Sequence, residues 1–214
     1  MDEVGRGSLF GPVVAAAVIL DPAKPIRGLQ DSKQLSAERR GALCSRIRER
    51  ALAVSVAAVD SGRIDLWNIY QATRLAMRQA VLALNPRPDG LLIDAMKLDL
   101  EIPQRSVIRG DARSFSIAAA SIVAKTERDR WIELWDGVFP HYGLASNKGY
   151  ATPAHLRALE RFGPAPLHRY SFEPVACHAR FPATLPLACE QLELPLPSST
   201  AAREIAEPWR LESR

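Results

Sequence analysis

The 214 residues carry 28 Lys+Arg against 24 Asp+Glu, a formal net charge of +4, and 47% of them are hydrophobic. That is the composition of one ordinary globular domain, large enough to bury a core without disulfides. The longest apolar run is too short to span a bilayer, no secretory leader pattern is visible, and three scattered cysteines (Cys44, Cys177, Cys189) point to a reducing, cytoplasmic setting and fit neither a disulfide framework nor a zinc site. Val13–Leu20 is continuous, apolar and rich in valine, and is expected to form a buried strand. Arg27–Ser36 is a polar loop, with Ser36 placed as the N-cap of an amphipathic helix over Arg39–Leu52. Leu52–Val59 is read as another strand. Asp65 is expected to cap a helix running to about Leu84, where Asn85-Pro86-Arg87-Pro88-Asp89-Gly90 stops it. Leu91-Leu92-Ile93-Asp94 is a short buried strand ending on a carboxylate, and Ser106–Ile108 is a further short strand. Ser114 to Trp135 is a long helix, small and apolar in its first half. Pro153–Phe162 is a helix capped by Thr152. Residues 1–180 are therefore expected to fold as one domain. Residues 181–214 hold five prolines and no long periodic segment, and read as a largely disordered tail.

Charge is uneven along the chain. Three arginines against five glutamates in the tail, a balance of −2, leave +6 on the first 180 residues. A basic body with an acidic tail is compatible with a nucleic-acid partner without requiring one.

The carboxylates carry the chemistry. Asp2-Glu3 immediately precedes the turn-forming Val4-Gly5-Arg6-Gly7, Asp94 ends an apolar strand, and Asp111 follows Gly110 just before the long helix. An acid at the end of a buried strand is costly unless a cation or hydrogen bonds satisfy it. Strand ends are also where open α/β sheets place their ligands. Several such ends could gather oxygen ligands suited to Mg²⁺ or Mn²⁺. The plainer alternative, that each acid caps a helix or makes a surface ion pair, stays open at this level.

Ordered blocks change the weighting. Asp2-Glu3-Val4-Gly5-Arg6-Gly7 with Gly11-Pro12-Val13-Val14-Ala15-Ala16-Ala17 closely resembles the opening of the ribonuclease HII family. The resemblance continues through Asp31-Ser32-Lys33-Gln34-Leu35-Ser36, Ile93-Asp94, Gly110-Asp111-Ala112-Arg113-Ser114 and Ile117 to Lys125 with Arg128-Asp129. It ends with Lys148-Gly149-Tyr150, His168-Arg169 and Ser171-Phe172, and so spans about residues 2–175 in family order.

The resemblance implies an α/β, RNase H-like fold: a mixed five-stranded sheet flanked by helices, with a helical C-terminal segment. It implies an endoribonuclease that cuts the RNA strand of RNA–DNA hybrids and incises 5′ of ribonucleotides embedded in duplex DNA, leaving 3′-hydroxyl and 5′-phosphate ends; the sequence identifies no oligomer, and a monomer is expected. Asp2, Glu3, Asp94 and Asp111 match the family's carboxylates for two divalent ions, Mg²⁺ or Mn²⁺, whose mutual repulsion calls for a dense anionic cradle. Only the 2′-hydroxyl separates a ribose from its deoxyribose neighbours. The family's turn at Gly5, Arg6 and Gly7 approaches that hydroxyl, and Tyr150 matches a tyrosine that contacts the same nucleotide. Lys33, Ser121 and Lys125 are candidate phosphate contacts. The four histidines show no ligand spacing, and His168 is read as structural.

Two features stand apart. Only Met1 precedes Asp2, whereas the family has further residues there that form the first half of the central strand, so a start upstream is expected. A weakened or non-catalytic hybrid-binding protein is the alternative reading. In the tail, Gln191-Leu192-Glu193-Leu194-Pro195-Leu196 resembles short peptides that dock on the bacterial sliding clamp.

Overall fold

The computed structural model describes residues 1–29, 32 and 35–179. Within them five strands form two ladders. Strands β1 (Asp2–Val4), β2 (Val13–Ile19) and β3 (Ala53–Val59) make an antiparallel sheet in that order, with Asp2 opposite Ala16 and Val13 opposite Val59. Strands β4 (Leu91–Asp94) and β5 (Gln104–Val107) pair in parallel. Met1 stitches the two ladders together. Its amino group donates to the Leu92 carbonyl at 2.8 Å, and its carbonyl accepts from the Asp94 amide at 3.4 Å. The mixed strand directions expected from the sequence are present, as three antiparallel strands beside two parallel ones.

Strand β2 is the hub because it is covered on both faces. Its alternation sends Val13, Ala15 and Ala17 into one apolar layer and Ala16 and Val18 into the other. The first layer is filled from helix α2 (Ser61–Leu82) by Ile64, Ala72, Ala76, Met77 and Ala80. The second is filled from helix α1 (Ala37–Arg50) by Leu43, Cys44 and Ile47, and from helix α4 (Phe115–Val138) by Ala118 to Ala120 and Ile122 to Ala124. Small residues in β2 and α4 let the helix backbone approach the strand closely.

The helix caps at Ser36 and Thr152 lie where the sequence places them, and Ser114, expected as the first residue of the long helix, is its N-cap; each accepts a backbone N–H three residues on. Helix α2 differs. Asp60, not Asp65, is its N-cap and accepts from the Arg63 amide at 2.9 Å. The helix is broken at Asn68, which takes a φ of 69° and recaps the second half by accepting from the Tyr70 and Gln71 amides. Asp65 is thereby free to accept from the Tyr170 and Ser171 amides, both at 2.9 Å, which ties the first turns of α2 to the C-terminal segment. Strand β5 starts two residues earlier than expected.

A third apolar cluster lies beyond the sheet. Leu9 and Phe10 pack there with Ile132 of α4, with Tyr142 of the 3-10 turn Pro140–Tyr142, and with Leu144, Leu159 and Val175 from the short helices that follow: α5 (Leu144–Asn147), α6 (Pro153–Phe162) and α7 (Glu173–Ala176). Three backbone hydrogen bonds, Leu9 N–H to Gly149 O, Gly11 N–H to Leu167 O and Arg169 N–H to Leu9 O, lace the loop 5–12 to this segment. Among the described residues no helix is long and apolar enough to cross a membrane.

Candidate active site

The pairing of β1 against β4 through Met1 brings Asp2 and Glu3 to Asp94. Asp2 is buried. Its Oδ1 accepts from the Glu3 amide at 2.8 Å, and its carboxylate also accepts from the Ser121 hydroxyl. Burial pushes Asp2 up to about 6, and the Asp94 charge adds to the rise against the two hydrogen bonds. Glu3 is pushed up to about 7, first by burial and then by the charges of Asp2 and Asp94, while Arg6 opposes the rise. Glu3 Oε1 lies 3.5 Å from Arg6 Nη1, and Glu3 Oε2 is buried without a hydrogen-bond partner.

Asp94 Oδ1 accepts from the Gly110 amide at 2.9 Å, which fixes the end of β4 against the start of the short helix α3 (Gly110–Arg113). A side chain at residue 110 would collide with Ile117 and stand 3.3 Å from that carboxylate oxygen, so glycine is what allows the approach. Asp111 is the next residue. It is buried, and its Oδ1 accepts from the Ala112 amide at 3.0 Å.

The four carboxylates expected at one site are therefore placed on the ends of two adjoining strands and the helix that follows them. Among the described residues, no three of His, Cys, Asp or Glu are yet drawn into a metal-ligand group. The donor set still fits a hard divalent cation. All the candidate ligands are carboxylate oxygens, one of them buried without a partner, and Asp2 and Glu3 are held toward protonation by burial and mutual repulsion that a cation would offset.

One residue beyond the acids the chain turns. Gly5 takes a φ of 88°, and Arg6 and Gly7 are exposed. A Cβ on Gly7 would meet nothing within 4 Å, which leaves an open approach to the turn. Tyr150 follows Gly149 in the turn after α5, and its ring lies 5.7 Å from the Arg128 guanidinium carbon. Leu9 N–H donates to the Gly149 carbonyl at 2.8 Å, which brings the tyrosine turn against the glycine turn.

The remaining candidates fall differently. Ser121, expected at a phosphate, is buried with its hydroxyl 2.8 Å from that of Ser32 and bonded to Asp2, which places it behind the acids. The Lys125 ammonium is 2.6 Å from Asp129 Oδ1, and Asp129 also takes Arg40 at 3.0 Å. Lys33 lies outside the described residues, as does the whole 191–196 motif. His155 and His168 are buried with their Nε2 atoms 3.0 Å apart.

Two side chains given no role from the sequence dominate the ground behind the turn, Arg128 and Arg169. Each donates to backbone carbonyls in the loop 5–12, and both are fully buried. A signal for Arg128 existed in the sequence. Ile117, Ser121, Ala124 and Arg128 recur at helical spacing on one face of α4, so the arginine falls on the buried side.

The family described as Ribonuclease HII matches residues 1–175 of the chain. A ribonuclease HII of Solibacter usitatus (strain Ellin6076) is 63% identical over 182 residues, covering 85% of this chain and 80% of its own length. Among solved structures, the ribonuclease H2 from Pyrococcus horikoshii OT3 is similar at a TM-score of 0.74 and 25% identity, covering 83% of this chain and 94% of that one. The structure of the PCNA:ribonuclease HII complex from Archaeoglobus fulgidus is similar at a TM-score of 0.68 and 25% identity, covering 86% of this chain and 96% of that one.

Proposed function

The chain belongs to the ribonuclease HII family and is an endoribonuclease, and on that footing we propose that it hydrolyses the RNA strand of RNA–DNA hybrids and incises 5′ of ribonucleotides embedded in duplex DNA, in a reaction dependent on divalent metal. One observation carries the reading. Asp2, Glu3 and Asp94 crowd into one buried, negatively charged junction of two strands, directly before a glycine turn with an open approach. Asp2, Glu3, Asp94 and Asp111 would hold two divalent ions, Mg²⁺ or Mn²⁺. When bound, the ions supply neutralisation of the phosphodiester charge and an activated water, and no covalent nucleophile is needed.

The chain's own groups orient these ligands. The Gly110 amide holds one oxygen of Asp94, and the Ser121 hydroxyl holds Asp2. Gly5, Arg6 and Gly7 bring backbone groups to the 2′-hydroxyl, and the bare face of Gly7 leaves room for the sugar. Tyr150, seated on Arg128, packs on the same nucleotide. Lys33 and Lys125 are the candidate phosphate contacts of this scheme, with Ser121 contributing from behind Asp2. Hydrolysis leaves a 3′-hydroxyl and a 5′-phosphate. A second contact belongs to the tail. The Gln-Leu-x-Leu-x-Leu spacing of Gln191 to Leu196 suits an extended peptide on a sliding clamp, a role supported by the PCNA complex of the Archaeoglobus relative.

The test is cleavage in Mg²⁺ of a DNA duplex containing one ribonucleotide, for the parent and for Asp94→Asn. The asparagine keeps an acceptor for the Gly110 amide while removing one charge. Cleavage is expected to fall by orders of magnitude with duplex binding retained. Near-parental rates in the variant would remove Asp94 from the site. A parent that binds hybrids without cutting any substrate would favour the non-catalytic alternative.

A further inference from the structure

We propose that Arg128 and Arg169 are the positioning residues of the ribose reader, the two buried guanidiniums that fix the Gly5-Arg6-Gly7 turn and the Tyr150 turn as one unit. The proposal rests on the function given above and goes beyond it by naming what sets the precision of recognition. Both side chains are 0% exposed. Arg128 donates through Nε to Pro12 O at 3.2 Å, through Nη1 to Lys148 O at 3.0 Å, and through Nη2 to Ser8 Oγ at 2.7 Å and Phe10 O at 3.0 Å. Arg169 donates through Nε to Gly11 O and through Nη1 to Arg6 O, both at 2.9 Å. The carbonyls of residues 6, 10, 11 and 12 are thus held by two side chains, and Lys148 O brings the tyrosine turn to the same anchor.

The choice of acceptors is the informative point. In these six bonds the acceptors are five carbonyls and one hydroxyl, with no carboxylate among them. Buried cations are ordinarily offset by a carboxylate, and an apolar side chain of similar volume would fill the space at lower cost. Burial, and then the charge of Arg128, lowers Arg169 to about 9, so it remains charged at neutral pH. A planar fork does what an apolar side chain cannot. It takes several carbonyls at fixed angles and freezes an irregular loop. The glycines complete the arrangement. A Cβ at Gly5 would collide with the Arg128 guanidinium, and one at Gly149 would stand 2.7 Å from Ser8 Oγ and 3.1 Å from Phe10 O. Both glycines hold a positive φ, 88° and 81°; Gly5 closes directly on Arg128, and Gly149 closes on Ser8 and Phe10, whose Oγ and carbonyl accept from that same guanidinium.

Precision matters most where the target is rare. A single embedded ribonucleotide offers one 2′-hydroxyl in one register. A long hybrid offers a hydroxyl at every step, so a looser reader still finds one. Replacing a fork by an ammonium keeps the charge and loses the angles. Arg128→Lys and Arg169→Lys are therefore expected to lower kcat/KM on the single-ribonucleotide duplex at least about tenfold more than on an RNA–DNA hybrid, given the roughly 100-fold cost of a 1 Å misplacement. Ser8→Ala, which takes away one acceptor of Arg128, should shift the same ratio in the same direction by a smaller factor. It carries the test if the lysine variants do not fold. Melting temperature is recorded alongside, in the full chain. An unchanged substrate ratio, or parallel losses on both substrates that track melting temperature, would show that the arginines only hold the fold together and would overturn the proposal alone. A parent that cuts neither substrate would overturn the proposed function, and this inference with it.

Discussion

Gly5 and Gly7 are two residues apart in one turn, yet alanine at each should have opposite consequences. Alanine at Gly5 must adopt a φ of 88°, at a cost of roughly 1–3 kcal/mol for a side-chain-bearing residue. Its Cβ would also stand within 2.8 Å of Arg128 Cδ and 2.9 Å of Cζ. The guanidinium is fully buried and holds four acceptors, so it has no solvent-filled space to move into. Loss of even one of those bonds adds roughly 1–3 kcal/mol. The sum is about 2–6 kcal/mol, which at roughly 2–4 °C per kcal/mol for a chain of this size lowers the melting temperature by about 4–24 °C. Gly7 is exposed with nothing within 4 Å, so Gly7→Ala should change stability by no more than about 0.5 kcal/mol.

Activity should rank the other way relative to stability. The methyl group of Gly7→Ala occupies the open approach to the turn, so a protein that melts like the parent is expected to cut the single-ribonucleotide duplex poorly. Thermal denaturation followed by circular dichroism, with cleavage assayed well below the transition, separates the two effects. A Gly5→Ala protein melting within about 2 °C of the parent would refute the claim that Arg128 is an immovable floor under the turn. A fully active Gly7→Ala would remove the sugar from that face.

The remaining expectations are as follows. Tyr150→Ala removes the ring seated on Arg128 and should cut cleavage at a single ribonucleotide strongly while leaving the fold intact; undiminished cleavage would end its role in reading the sugar. The buried His155–His168 pair predicts an acid limb in stability. Ala165 N–H donates to His168 Nδ1 at 2.9 Å and the two Nε2 atoms lie 3.0 Å apart, so a proton added to the pair sets donor against donor. Burial, then the neighbouring His155, lowers His168 to about 4, below its unfolded value near 6.5, so the unfolded chain binds the extra proton between those limits. Up to about 3 kcal/mol is thus present above pH 6.5 and lost progressively as pH falls toward 4; His168→Gln should flatten the midpoint–pH curve there, and identical curves would refute the assignment. Finally, a peptide covering residues 186–200 should bind purified bacterial clamp, and changing Gln191, Leu192 and Leu194 to Ala should abolish that binding; equal binding by both peptides would strip the motif of meaning.

The parts of the fold visible in the sequence are those where local pattern and tertiary need agree. Val13–Leu20 is continuously apolar because both faces of β2 are covered, and Ser36, Ser114 and Thr152 cap helices because no stronger competitor stands nearby. Helix α2 escaped because two acids compete for one start. Asp60 wins the cap, and Asp65 is taken by Tyr170 and Ser171, more than a hundred residues away. The acids proposed for the site stand out in the sequence by their place at strand ends and in the family blocks. What holds them does not. The Ser32–Ser121 contact spans 89 residues and the Arg128–Ser8 contact 120, and nothing in local spacing announces either. Ser121 is a candidate phosphate contact only through its place in the family block, as a lone hydroxyl among small apolar residues. Its burial behind Asp2 depends on how α4 lies against β1, which is a tertiary fact.

That packing also explains how the two halves of the proposed reaction keep their distance. Ser121 bonds Asp2, and seven residues further along the same face Arg128 anchors the glycine turn and seats Tyr150. At a rise of about 1.5 Å per residue, the two anchor points are about 10 Å apart along the axis of α4. Cutting at a fixed position beside a recognised sugar requires a fixed separation between the group that reads the hydroxyl and the acids that gather the metal. Loops cannot hold such a separation, since irregular segments on a surface are the mobile parts of a fold. Here the loop 5–12 is pinned by side chains from α4 and from the C-terminal segment, so its rigidity is borrowed from a regular helix whose small residues lie flush against β1 and β2. Bulk introduced at Ala118 or Ala119, both buried in that contact, would tilt the helix and move both anchors together. A change confined to Arg128 moves only the reader. On the proposed reaction, specificity and chemical competence would therefore be separable by mutation along a single helix.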